Sequence, residues 1–181
     1  MDLASIAADL QASGLSEWLR SSLKAVPIIE SVHVMAMAIV FGTILIVDLR
    51  LLGFPSTRRP VTSVADELLK LTWGAFIVSV ITGVLLFAVN ATTYYVNTPF
   101  RLKMLALIAA GVNMLVFQLI TYRTVAAWNQ GAPTPGAARI AGVLSIVIWT
   151  AVIFFGRWLG YTKGYDFGIP EDVQLDFDFT G

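Results

Sequence analysis

VPIIESVHVMAMAIVFGTILIVDLRLL, running from Val26 to Leu52, decides the fold. At 1.5 Å per helical residue this apolar run is long enough to cross the ~30 Å hydrocarbon core of a bilayer. Pro27 sits where a helix would be in its first turn, so its missing N–H breaks nothing. Three further runs of the same kind follow, at Leu71 to Val89, Leu105 to Thr121 and Ile140 to Leu159. The segments between them carry turn formers: Pro55 to Pro60 with Arg58 and Arg59, Asn90 to Pro99 with interfacial Tyr94 and Tyr95, and Asn129 to Ala137.

The predicted fold is therefore all-α, an integral membrane four-helix bundle with a short N-terminal interfacial helix and an acidic C-terminal tail. Residues 1–24 form the amphipathic segment, 25–163 the four-span domain and 164–181 the acidic and aromatic tail. In the first segment Leu3, Ile6, Leu10, Leu15, Trp18 and Leu19 recur as on a helix lying at a membrane surface. Asp2 and Asp9 stand where a signal peptide would be basic, so no cleaved leader is expected.

Composition agrees. Of 181 residues, 57% are hydrophobic and 13% charged, about half the charged share of a soluble domain. The formal net charge of zero gives no electrostatic footprint for nucleic acid. Cysteine is absent, which removes disulfides and thiolate ligands or nucleophiles. No GxxxxGK[ST], GxSxG or HExxH pattern occurs, so a non-catalytic role is expected.

Charge inside hydrocarbon is costly, so polar residues within the spans point to the functional site. With about 100° per residue, Glu30, His33, Met37, Phe41, Ile44 and Asp48 fall within about 80° of one another on the first helix. That stripe is expected to face the bundle interior. His33, the single histidine, shares it with Met37 one turn away, and the two together are candidate metal ligands for copper(I) or a haem iron. The alternative is a buried histidine hydrogen-bonded to a neighbouring helix. Met35 points the other way.

On the fourth span Arg139, Val143, Ile146, Thr150, Phe154, Arg157 and Tyr161 form a second stripe. In a four-span bundle Glu30 and Arg157 reach the same membrane face and are expected to pair. Arg101 and Lys103 arrive there too, completing a collar suited to haem propionates, a quinone head group or an anionic lipid, unless they simply snorkel to headgroups. The candidate cofactor-binding residues are thus His33, Glu30, Met37, Arg101, Lys103 and Arg157. Toward the other face Asp48 is expected to pair with a nearby base among Arg50 and Lys70, beside Asp66 and Glu67. Asn113 is expected to bridge helices.

SVHVMAMAIVFGTILIVDLRLLG (Ser31 to Gly53), PFRLKMLAL (Pro99 to Leu107) and GRWLGY (Gly156 to Tyr161) together resemble a bacterial family of small integral membrane proteins of unknown function. More distantly the arrangement is similar to the membrane domain of CopD-type copper-resistance proteins. That resemblance implies copper or haem b handling, with His33 the one position matching an intramembrane ligand. A single histidine excludes bis-histidine haem within one chain, leaving His/Met ligation, one-histidine ligation or a site shared between protomers.

Two functional expectations follow. One is a haem- or copper-binding, electron-transfer module or a subunit of a larger membrane complex, with a homo-oligomer as the other form of partnership. The alternative is a small proton or ion transporter or channel-like oligomer following Glu30, His33 and Asp48. The expected location is a bacterial inner membrane, with both termini on the non-cytoplasmic side.

Overall fold

The computed structural model describes residues 2–54, 61–121, 123, 125 and 134–162. Arg58, Arg59, Lys163, the acidic tail, and the side chains of Asp66 and Glu67 lie outside the described residues. Those that are described form an all-helical chain: α1 (Leu3–Gln11), α2 (Gly14–Ser21), α3 (Ala25–Leu52), α4 (Val61–Val89), α5 (Ala91–Tyr94), α6 (Thr98–Val116) with a π-helical turn at Phe117–Thr121, and α7 (Gly136–Thr162). Four helical stretches are long and apolar enough to cross a membrane: Ala25–Leu52, Lys70–Val89, Thr98–Ile120 and Gly136–Thr162.

The third begins a full two turns before the Leu105 boundary drawn from hydropathy. Arg101 and Lys103 depress the hydropathy there, but the start is set by capping: Asn97 Oδ1 accepts the Phe100 N–H at 3.1 Å and Pro99 occupies the first turn. The end of α3 is equally explicit. Gly53, at φ 95°, takes the left-handed position, and the Gly53 and Phe54 amides return to Arg50 and Leu49.

The N-terminal helices dock on the end of α4. Ser16 Oγ donates to the Ala88 carbonyl at 2.7 Å and Arg20 to the Val89 carbonyl at 3.1 Å, satisfying last-turn acceptors that no further helical turn would reach. Gln11 Oε1 accepts both the amide and the hydroxyl of Thr92. Leu3, Ile6, Leu15 and Trp18 remain exposed on the outer side of α1 and α2.

Helix α3 packs against α4 and α7, and α6 packs against α7, so the long helices run in the order α4, α3, α7, α6. Helices α4 and α6 pack little against each other directly. They meet at one end, where Phe87 and Phe100 stack at 5.2 Å and Tyr94 of α5 stacks on both. A small core of Val40, Ala75, Ala110, Trp149 and Val152 draws on all four.

Candidate functional site

His33 is fixed by α4. Its Nδ1 lies 3.0 Å from the Ser79 carbonyl and 3.0 Å from Thr82 Oγ1. A carbonyl can only accept, so Nδ1 carries the proton, while the Thr82 hydroxyl is turned to donate to the Val78 carbonyl at 2.7 Å. Nε2 is left as the nitrogen open to a ligand. The ring fits because position 83 is glycine: a Cβ there would lie 3.2 Å from His33 Cε1. Ser79, Thr82 and Gly83 therefore form the seat of the imidazole, and they follow the i, i+3, i+4 spacing of one helix face.

His33 lines a cavity of about 1160 Å³ that follows the gap between α4 and α6. Most of its wall is apolar, as in binding sites for large lipophilic molecules. Met37, Ile44 and Asp48 line it as well, so the first-span stripe does face inward. Glu30 is the exception, being exposed at the outer end. His33 and Asp48, fifteen residues apart on one helix, stand roughly 22 Å apart along its axis.

At the His33 end, Lys103 enters from α6. It lines the cavity half-buried, lies close enough to His33 for the two charges to interact, and no carboxylate among the described residues pairs with it. Its ammonium lies beside Gly156 of α7, where a Cβ would stand 3.5 Å from Lys103 Nζ, an ordinary packing distance. Arg101, two residues earlier, is exposed. The two basic residues thus separate into an outer one and an inner one.

Two expected ion pairs are corrected. Glu30 and Arg157 are not joined: Arg157 lies with its guanidinium 5.0 Å from the Tyr161 ring centroid and donates to Tyr161 Oη at 3.4 Å on its own helix. A residue four positions on, carrying both a ring and a hydroxyl, satisfies the guanidinium without a crossing to α3. Asp48 pairs with no base among the described residues either. It is 6% exposed, its hydrogen bond is to Ser145 of α7, and its Oδ2 has no partner among the described residues. Asp48 faces α7 across Gly142, where a Cβ would be 3.3 Å from the Asp48 carbonyl, whereas Arg50 is turned by about 200° around α3.

The fourth-span stripe lies on the outer face of α7. Arg139, Val143, Thr150, Phe154, Arg157 and Tyr161 are exposed, and the buried face of α7 carries Ala138, Gly142, Ser145, Trp149 and Val152. Asn113 bridges as expected, its amide donating to the Ala141 carbonyl at 3.1 Å. Among the described residues no group of three or more His, Asp or Glu side chains could hold a metal ion.

Comparison with known proteins adds one finding. No curated protein and no solved structure matches the chain. A family profile covers residues 22–162, from just before α3 to the end of α7, and gives no support to the copper-resistance resemblance. The chain belongs to that family, the family of unknown function DUF6644.

Proposed function

We propose that the protein is a non-catalytic integral membrane module that holds a lipophilic ligand in the cavity between α4 and α6, with His33 as its polar anchor. One observation carries this reading. Nδ1 of His33 is tied to the Ser79 carbonyl, which fixes the ring and frees Nε2, on a cavity large enough for a cofactor-sized molecule. Ligating histidines are held in this way, their second nitrogen bonded to a carbonyl or carboxylate.

Haem b would suit the site through one-histidine ligation or through His33 with a cavity methionine, of which Met37 and Met104 are at hand. Copper(I) would use the same donors. Electron transfer within a larger membrane complex is the role either would serve. The setting we propose is a bacterial inner membrane with both termini outside the cytoplasm.

Native mass spectrometry of the protein released from mild detergent tests the reading. The parent should retain a bound molecule that His33→Ala loses and Met35→Ala, on the opposite and exposed face, keeps. An empty parent overturns it. A Soret band lost in His33→Ala identifies haem b, and a colourless, metal-free but occupied protein removes both haem and copper.

A second reading, a proton or ion path, draws on Asp48, whose orphaned oxygen lies on the same cavity as His33. Proteoliposomes that carry a proton flux abolished by Asp48→Asn would favour it.

A further inference from the structure

The cavity joins three features that the reading above does not use. Its long side, between α4 and α6, is where the helix packing is weakest. Apolar residues on both lips are exposed, Val80 at 47% and Val84 at 58% on α4 and Met114 at 42% on α6, although all three line it. An opening with such lips is wetted by hydrocarbon and not by water. At one end stands a cation with no carboxylate partner among the described residues, Lys103.

We propose that an anionic lipid occupies this cavity, passing in sideways from the bilayer through the gap between α4 and α6, with its phosphate on Lys103. The proposal rests on the cavity being a binding site but not on any metal or haem. Charge complementarity selects the occupant: an unpaired ammonium in a low-dielectric wall is stabilised by a phosphate, and a lysine is suited to it as a point charge. Position agrees. Lys103 is six residues from the Asn97 cap, about 9 Å into the helix, within snorkelling reach of the headgroup boundary. From there the lining residues Met104, Leu107, Gly111 and Met114 continue along α6 for roughly 16 Å beyond Lys103, close to the depth of one leaflet's hydrocarbon. The Phe87–Phe100 stack closes the gap at the head-group end, so the acyl chains have the open side.

Trp149 is the reporter, because it is 8% exposed and lines the cavity. The full chain is reconstituted in phosphatidylcholine vesicles containing a minor fraction of acyl-brominated lipid, either phosphatidylglycerol or phosphatidylcholine. Trp149 emission is obtained as the difference between the parent and Trp149→Phe. Brominated phosphatidylglycerol should quench it with about fivefold greater apparent affinity, the factor that one lysine contact with an anionic lipid supplies. Lys103→Met should remove the preference, Lys103→Arg should keep it, and Arg101→Gln should keep it because that residue is outside. Should Lys103→Met fail to insert, Lys103→Gln takes its place in the same assay.

Equal quenching by the two lipids, a preference that survives loss of the Lys103 charge, or a preference erased by millimolar inorganic phosphate would each overturn the assignment, the last by making the occupant a free anion. Haem found in the cavity would overturn it while upholding the His33 reading. No quenching by either lipid would overturn the lipid assignment and leave the His33 reading to its own mass-spectrometric test.

Discussion

Helix α4 has two neighbours that are both long and apolar enough to cross a membrane, α3 and α6, and treats them differently. Against α3 it presents Thr72, Ser79, Thr82 and Gly83. Thr72 donates to Thr43 at 2.8 Å, His33 reaches the Ser79 carbonyl, and the glycine admits the imidazole. Toward α6 it presents Trp73, Val80 and Val84, across from Met104 and Met114, with contact made good only by the aromatic stack at one end. In a chain that spans a membrane, as we propose for this one, burying one more Val or Met gains little, because lipid tails are as apolar as the partner helix. Small residues and interhelical hydrogen bonds decide which helices close, and where they are missing a cavity remains.

This difference can be broken at specific positions. The largest effect is expected at the closed α3–α7 contact. Gly142→Leu drives a side chain into the Asp48 carbonyl, which is backbone and cannot yield, so thermal unfolding in detergent should show a loss of about 1–3 kcal/mol or more. Removing one stitch of the α3–α4 contact with Thr72→Val should cost about 0.6 kcal/mol, the usual worth of such a bond between membrane helices. On the open side Gly111→Ala meets nothing within 4 Å, and the same measurement should move by less than about 0.5 kcal/mol. Glu30→Gln and Arg157→Gln should combine additively in a double-mutant cycle, since neither touches the other.

How much of this was legible in the sequence follows the same division. Hydropathy located the four long helices, because their period of burial does not matter to a span that is apolar all round. Angular arithmetic on one helix placed His33, Met37 and Asp48 on the cavity, since their relative directions depend only on 3.6 residues per turn. The partners of those side chains lay on other helices, and the pairing order is not written in hydropathy. Ser79 and Thr82 read as ordinary span residues until α3 is laid against α4, although a serine, a threonine and a glycine at 79, 82 and 83 gave a detectable small-polar face. The α7 stripe marked a face but not its direction: near helix ends the long polar side chains of Arg139, Arg157 and Tyr161 extend outward, and the packed face is marked by Gly142 and Ser145. Asp48 was given a base because bases are adjacent in sequence, but adjacency on a helix turns Arg50 away.

The central claim is that α4 closes on α3 and stands apart from α6, leaving the cavity in which His33 is exposed. The chain has no cysteine, so introduced pairs report without background. Thr43→Cys with Thr72→Cys replaces two oxygens 2.8 Å apart, and mild oxidation in the membrane should give a disulfide in most of the protein. Val80→Cys with Gly111→Cys faces across the cavity, where a Cβ at 111 has no heavy atom of another residue within 4 Å; oxidation should leave it uncoupled while a longer bis-maleimide joins it. Ready disulfide formation by the second pair, or none by the first, would contradict the account.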